Sequence, residues 1–199
     1  MPSDNVGDRY ISFDEEAAHE LAEALVLSDN AKRFAIARSM LQMCTFEMYF
    51  RQFIISLPVI IAYSTAAFFN GKLGFIKRPF IARLPIYALS LLHGFLVYVF
   101  PTDVVTKFYE READKDACDL GLNYMVGGAE YYTKIMQRNA AIHELSVVGE
   151  KAYSVTGNEI YPFWRSPHLL TRTRRDYIES RIQEAQQADK TSFVETAST

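Results

Sequence analysis

The chain has 199 residues, of which 21 are basic and 24 acidic, and its formal net charge at pH 7 is -3. This length suffices for one domain with its own core, or for membrane helices with a modest soluble domain. The near balance of charge excludes wholesale binding to nucleic acid. Cys44 and Cys118 stand far apart and in no Cys-x-x-Cys pair, so we expect no disulfide and interpret them as apolar fillers or as a sign of a reducing compartment.

Residues 1–28 form a polar, acidic N-terminal segment. The first 30 residues carry eight acidic residues and one basic residue, Arg9. This composition lacks both the basic character of a mitochondrial presequence and the apolar run of a signal peptide. The segment therefore gives no prediction of targeting.

A helix is predicted over residues 29–50. Ser28 is a suitable N-cap and Asp29 suits the first turn. Apolar side chains then recur at helical spacing from Phe34 to Met48. We expect this helix to lead directly into the membrane.

Two apolar runs without a charged residue, Gln52–Phe69 and Leu84–Phe100, dominate the centre of the chain. A bilayer core needs about 20 apolar helical residues, with a range of roughly 17 to 25. The runs therefore predict a transmembrane hairpin over residues 51–101, with spans at about 52–69 and 84–100. A buried helical hairpin of a soluble protein is the alternative.

The loop between the two runs, Asn70–Arg83, carries four basic residues and no acidic one. The positive-inside rule would place this loop on the cytoplasmic or matrix side. Basic residues also flank the outer ends of both runs, so the contrast across the membrane is small and the topology stays open.

Beyond the hairpin, Pro101 and Asp103 indicate the start of a further helix, which should end near Gly121. Another helix is expected over residues 128–145, followed by turns, or a short hairpin, up to Tyr161.

We expect residues 102–181 to form a helical soluble region. The small and polar side chains of residues 182–199 predict a disordered tail. The expected fold is thus an all-α membrane protein, in which soluble helices flank a two-span hairpin.

The stretch Glu110–Gly121 packs seven charged residues into twelve positions. Glu110 and Asp114 are four residues apart and share one face of a helix, where the small Ala113 lets another helix approach. The stretch is either the acidic half of a metal site or a solvated face with local ion pairs.

The histidines do not complete a zinc motif. Neither His19 nor His143, each followed by glutamate, is part of His-Glu-x-x-His. His93, inside the second apolar run, is either a proton or haem ligand or a neutral imidazole bonded to a neighbouring helix. We therefore predict no catalytic residue, no metal site and no cofactor.

The order of helix, membrane hairpin and Glu-Arg-Glu-Ala-Asp at residues 110–114 resembles the membrane zinc metallopeptidases of the heat-shock and CAAX-prenyl-protease type. In those enzymes an Ala-His-Glu-x-x-His helix precedes membrane helices, and a Glu-x-x-Ala-Asp helix follows them. The resemblance puts Glu110 in the place of a zinc ligand and Asp114 in that of its supporting carboxylate. The first motif would fall on residues 37–42, where arginine, serine and glutamine replace histidine, glutamate and histidine.

This resemblance implies a peptidase-like helical scaffold without its metal. Arg38 would then face Glu110 and Asp114 in a structural ion-pair cluster, since a guanidinium cation can replace the zinc ion as the partner of these carboxylates. Burying both carboxylates without a positive partner would be costly.

A closer resemblance covers most of the chain and joins four segments. They are Lys-Arg-Phe-Ala-Ile-Ala-Arg at 32–38, Gly-Gly-Ala-Glu-Tyr-Tyr-Thr-Lys at 127–134, Gly-Asn at 157–158 and Thr-Arg-Arg-Asp at 173–176. Their order around a two-span hairpin resembles the C-terminal part of the transmembrane protein 177 family. In that family a substantial N-terminal portion precedes this region, and this chain begins near the end of that portion.

The family resemblance implies a non-enzymatic, multi-pass protein of the mitochondrial inner membrane. It would help to stabilise newly made cytochrome c oxidase subunit 2, together with that subunit's assembly chaperone. Its partners would thus be the lipid bilayer, this subunit and the chaperone. A membrane zinc metallopeptidase and a structural subunit of a larger membrane complex are the alternatives.

The densest basic cluster lies near the C-terminus and includes Arg172, Arg174 and Arg175. These side chains could meet anionic lipid head groups or an acidic partner. They could equally pair with Asp176 and Glu179 within the protein.

Overall fold

The computed structural model describes residues 15–197, with backbone alone at residues 189 and 191–197. Its described part contains helices and an isolated bridge between Tyr153 and Glu159, but no strand. The helices, with a 3₁₀ turn at Phe75–Lys77, are α1 (Glu15–Ala24), α2 (Asp29–Met43), α3 (Glu47–Lys72), α4 (Phe80–Asp119), α5 (Leu122–Leu145), α6 (Val147–Ala152) and α7 (Thr171–Ala197). The predicted all-α class is confirmed.

The chain divides into two compact units. The soluble unit contains the described residues up to Cys44, together with Glu110–Phe163 and the C-terminal part from Leu169. The membrane unit contains Thr45–Tyr109 and Trp164–His168. Helix α4 contributes its first part to the membrane unit and its last turns to the soluble unit.

Within residues 15–197, two helices, α3 and α4, are long and apolar enough to cross a membrane. At about 1.5 Å per residue, the 26 residues of α3 extend roughly 39 Å, more than the roughly 30 Å of a hydrocarbon core. Only 6% of the apolar window of α3 and 17% of that of α4 are buried. A core helix of a soluble protein would be mostly buried, so the prediction of a two-span membrane hairpin is confirmed.

The two spans approach each other closely at Gly94. A Cβ at this position would lie 2.9 Å from the carbonyl oxygen of Pro58 and 3.0 Å from Cβ of Ala62. Small residues allow such approaches between membrane helices. Nearby, Thr65 Oγ1 of α3 lies 3.1 Å from His93 Nδ1 of α4. This contact is the hydrogen bond to a neighbouring helix that one interpretation of His93 requires.

The prediction of one helix over residues 29–50 is wrong. Helix α2 ends at Met43 and α3 begins at Glu47. Between them, Thr45 Oγ1 accepts a hydrogen bond from the Glu47 amide at 3.4 Å. Threonine side chains that bond to nearby backbone compete with the helical hydrogen bonds, and the chain breaks here.

The prediction that a new helix starts at Pro101 is also wrong, because Pro101 lies inside α4, a continuous helix of 40 residues. Thr102 Oγ1 donates to the carbonyl oxygen of Tyr98 at 2.6 Å. The carbonyl that loses its helical partner at Pro101 is that of Val97, four residues earlier, so the Thr102 bond serves the next carbonyl along the helix. Membrane helices tolerate proline because neighbouring helices, side chains and local adjustments satisfy the freed backbone groups. The expected end of this helix agrees with the structure, since Gly121 has a φ of 126°, a conformation that favours glycine.

The predicted disordered tail is wrong for residues 182–197, which continue α7. This segment contains three glutamines, three alanines and two glutamates, residues that favour a helix even without a buried face. Within the acidic segment predicted over 1–28, Glu15–Ala24 form α1. Residues 1–14 and 198–199 lie outside the described residues.

The core of the soluble unit surrounds α5, which begins at Leu122 rather than at residue 128 as predicted. Ser28 caps α2 by accepting from the amide of Ala31, as predicted, and its own amide donates to the Glu130 carboxylate of α5 at 3.0 Å. The buried side chains that pack together are Phe34, Ala117, Cys118, Met125, Tyr132 and Ile178. Cys118 is thus a core filler, and both it and the exposed Cys44 are free.

Candidate functional site

Three side chains from three helices meet at one buried carboxylate on a fourth helix. Asp114 Oδ1 accepts hydrogen bonds from Arg38 Nε at 2.8 Å, Tyr132 Oη at 2.6 Å and Arg174 Nη2 at 2.8 Å. Its Oδ2 accepts from Arg174 Nε at 2.6 Å. We call these four residues the Asp114 cluster. It joins α2, α4, α5 and α7.

Three of these polar side chains lie one helical turn from a core side chain. Arg38 follows Phe34 by four residues in α2, and Asp114 precedes Cys118 by four in α4. Arg174 likewise precedes Ile178 in α7. Because residues four apart share a helix face, the apolar contacts that join the helices also bring these three polar groups to one point.

The guanidinium of Arg174 makes the strongest contacts of the cluster. It donates two hydrogen bonds to the two oxygens of Asp114, the bidentate geometry that best suits a guanidinium and a carboxylate. Its Cζ also lies 4.6 Å from the ring centroid of Tyr132, within the range of a cation–π interaction. Only 11% of the Arg174 side chain and 2% of that of Asp114 are exposed, so the pair is little screened by solvent.

Burial and charge shift the titration of two cluster residues. Burial, followed by the negative charge of Asp114, raises the pKa of the Tyr132 phenol well above its usual value. Burial opposes the charge of Arg174, but its hydrogen bonds to Asp114 and the neighbouring Tyr132 raise its pKa overall. Both groups therefore stay protonated, and both keep donating to the carboxylate.

Glu110 lies one turn before Asp114 and is also buried. Its Oε2 accepts a hydrogen bond from the backbone amide of Leu169 at 2.9 Å, near the start of α7. Glu110 thus ties α4 to the segment that precedes α7. Burial, followed by the negative charges of Glu159 and Glu110, raises the pKa of the Tyr161 phenol to about 12.

The acidic stretch of α4 combines both of the interpretations left open by its sequence. The face with Glu110 and Asp114 is buried, along with Ala113. The opposite face is solvated, and there Lys115 lies 3.7 Å from Glu112 in a local ion pair.

The structure brings together two of the three residues of the predicted ion-pair cluster, Arg38 and Asp114, and places Glu110 against the Leu169 amide. The sequence interpretation missed Arg174 and Tyr132 as partners of Asp114. The sequence carries one signal for Arg174, because the apolar Ile178 lies four residues after it and therefore on the same helix face.

The three C-terminal arginines do not act together. Arg174 lies in the core, so the hypothesis that it contacts lipid or a partner does not hold for this residue. Arg172 is 61% exposed and lies 3.6 Å from Asp176. Arg175 pairs with Asp176 at 2.8 Å and with Glu179 at 3.3 Å. The pairing within the protein that was one of the alternatives therefore describes Arg172 and Arg175.

The Asp114 cluster is a buried ion-pair network, and its contacts suit a structural role. Every donor in it is a guanidinium or a phenol that stays protonated, and both carboxylate oxygens accept from Arg174. Among the described residues, no group of three or more histidine, cysteine or acidic side chains is placed to hold a metal ion. The cluster instead suits the fixing of four helices to one another.

Comparisons with known proteins relate most of this chain to one family of transmembrane proteins. A family model described as Transmembrane protein 177 matches residues 6–161. Transmembrane protein 177 of Mus musculus is 29% identical over 178 residues, covering 85% of this chain and 55% of the relative. That of Homo sapiens is 31% identical over 169 residues, covering 81% of this chain and 53% of the relative.

The chain thus spans about half the length of the relatives that it matches. No solved structure matches it. Two outward-facing apolar helices and a family match over most of the chain lead to one conclusion. The protein is a membrane protein that belongs to the transmembrane protein 177 family.

Proposed function

We propose that this protein is a non-enzymatic scaffold of the mitochondrial inner membrane, which stabilises newly made cytochrome c oxidase subunit 2 together with that subunit's assembly chaperone. The observation that carries the proposal is the family match over residues 6–161. It supports the role that the resemblance to this family implies.

The membrane unit suits a membrane client. The apolar side chains of α3 and α4 face outward, and the apolar windows of these helices are buried only to 6% and 17%. In a bilayer such faces contact lipid or other membrane helices, and close packing there comes from van der Waals contact and small residues. We propose that these faces bind a membrane-embedded client, and that the soluble helices determine which client is bound.

The soluble unit suits a scaffold rather than a catalyst. Asp114, which the peptidase resemblance aligns with a carboxylate supporting the zinc ligand, accepts hydrogen bonds from two guanidinium groups and a phenol. We propose that Arg38 and Arg174 stand in for the cation of a peptidase-like arrangement. A carboxylate engaged in this way stabilises the fold and is not free to assist a reaction.

Pulse labelling of mitochondrial translation tests the proposal. The tagged chain is expressed in cells that lack their own family member, and newly made subunit 2 is crosslinked, recovered and chased. We expect the chain to recover labelled subunit 2 with its chaperone and to lengthen the half-life of that subunit. An unchanged half-life, with the chain inserted in the inner membrane, would contradict the proposal.

Two further measurements separate the alternatives. Stoichiometric zinc in the detergent-purified protein, lost in Glu110→Ala, would indicate a metallopeptidase. Recovery of several membrane proteins at fixed stoichiometry, independent of new synthesis, would indicate a structural subunit of a larger complex.

A further inference from the structure

The loop that joins the two spans concentrates positive charge. It extends from Asn70 to Arg83, and we call it the hairpin loop. Its four basic side chains are Lys72, Lys77, Arg78 and Arg83, and the sequence between Glu47 and Asp103 contains no acidic residue. The loop therefore carries four positive charges and no negative one of its own.

The membrane unit has only two carboxylates, and both lie far along the helices from the hairpin loop. Glu47 begins α3 and pairs with Arg51 at 2.8 Å. Asp103 lies 23 positions into α4, counting from Phe80, and pairs with Arg165 at 3.5 Å. Each carboxylate is thus separated from the hairpin loop by the length of a membrane span. The positive charge of the hairpin loop is therefore not neutralised within this unit.

One of the four cations organises the loop. Arg83 Nη2 donates to the carbonyl oxygen of Ile76 at 2.7 Å and to that of Arg78 at 2.9 Å, and Arg83 Nε donates to the latter at 3.1 Å. Gly74, with a φ of 65°, turns the chain just before the 3₁₀ segment. These contacts shape the loop without using its other cations, and Lys72, Lys77 and Arg78 are all exposed.

Apolar side chains are exposed beside these cations. Leu73 is 56% and Ile76 63% exposed. The Arg78 guanidinium carbon lies 5.2 Å from the ring centroid of Phe75. Basic and apolar side chains that alternate over a surface next to two membrane spans suit the boundary between lipid head groups and acyl chains. An acidic protein face or free phosphate would leave Leu73 and Ile76 in water.

We propose that the hairpin loop is a binding site for anionic phospholipid, whose head group is held by Lys72, Lys77 and Arg78. Basic clusters next to membrane spans attract anionic lipids. Leu73 and Ile76 enter the boundary with the acyl chains, and Arg83 holds the loop in the shape that presents the three cations. This site does not depend on which client the protein stabilises.

Lipid retention by the full chain tests the site. The protein is reconstituted in vesicles of equimolar phosphatidylcholine and phosphatidylglycerol, extracted gently, and its retained lipids are measured by native mass spectrometry. We expect phosphatidylglycerol to be enriched on the unaltered protein. Lys72→Gln/Lys77→Gln/Arg78→Gln should reduce this enrichment at least about fivefold, the factor that one basic residue near an anionic surface provides.

The matched control is Lys32→Gln/Arg33→Gln/Lys151→Gln, which removes three exposed positive charges from the soluble unit. It should retain the enrichment of the unaltered protein. The proposal is overturned if the loop variant keeps its enrichment, or if both variants lose it equally. Displacement of phosphatidylglycerol by added inorganic phosphate would show recognition of free phosphate and would also overturn it.

Discussion

Arg174 holds both carboxylate oxygens of Asp114 with two nitrogens, at 2.6 and 2.8 Å, although 60 positions separate the two residues in the chain. The pair is buried and joins α7 to the last turns of α4. This contact fixes the C-terminal helix α7 to the rest of the soluble unit. Its removal should therefore lower the free energy of unfolding of that unit.

Replacement of Arg174 by methionine should destabilise the soluble unit strongly. Breaking a buried ion pair by removing one partner costs about 3–5 kcal/mol, because the other charge is left without compensation. Thermal unfolding in detergent, followed by circular dichroism, measures the effect. Arg172→Met is the control, because this side chain is 61% exposed, and exposed pairs contribute about 0–1 kcal/mol. Equal losses of stability in the two variants would show that the buried Arg174–Asp114 pair does not stabilise this unit more than an exposed pair does.

Arg38→Met should destabilise the protein less than Arg174→Met but clearly more than Arg33→Met. Arg38 donates one hydrogen bond to Asp114, and a hydrogen bond to a charged group contributes about 1.5–3 kcal/mol. Arg33 is exposed, and exposed substitutions usually stay within about 0.5 kcal/mol. Denaturant unfolding of the three variants compares them.

The double variant Arg38→Met/Arg174→Met tests whether the two arginines form one network. Residues that share a partner show coupling energies of about 0.5–3 kcal/mol. Additive losses would indicate two independent contacts to Asp114.

Alkaline pH should destabilise the protein through Tyr132. The pKa of this phenol is raised above the usual value of 10.0 in the folded state. Between that value and the higher folded pKa, the folded state binds more protons than the unfolded state. The free energy of unfolding therefore falls as pH rises through this window.

Tyr132→Phe removes that titration together with the hydrogen bond to Asp114. This variant should be less stable at neutral pH by about 1.5–3 kcal/mol, yet should lose less stability above pH 10 than the unaltered protein. The measurement is the free energy of unfolding of both proteins at a series of pH values from neutral to alkaline. Parallel curves for the two proteins would show that Tyr132 does not titrate as described.

Gly127→Ala should destabilise the soluble unit although alanine is the better helix former. A Cβ here would lie 2.9 Å from the backbone nitrogen of Ala31 and closer still to the carbonyl of Asn30. Overpacking of this kind costs about 1–3 kcal/mol. In the control, Gly71→Ala, the new Cβ meets no atom within 4 Å, so helix propensity should dominate and stability should rise by up to about 1 kcal/mol. A gain at both positions would show that α2 does not pack as closely on α5 as described.

Several features were predictable because they depend on local sequence. The two spans follow from uninterrupted apolar runs, since a bilayer selects for composition and length alone. Ser28 as N-cap and Gly121 after a helix end depend on side chains and backbone angles of single residues. Glu110 and Asp114 share a face because they are four residues apart. Those features required no knowledge of the remainder of the fold.

Other features depend on contacts that no local pattern encodes. Pro101 indicates a helix start by itself, but continuous α4 satisfies more backbone groups where water is absent. Arg172, Arg174 and Arg175 carry the same charge, and only Arg174 has an apolar residue, Ile178, four positions after it. The packing of Ile178 into the core decides that Arg174 turns inward. The sequence by itself determined the two spans and the acidic face of α4. Tertiary structure decided which arginines meet Asp114, because a buried carboxylate is stabilised by whichever donors the packed helices bring to it.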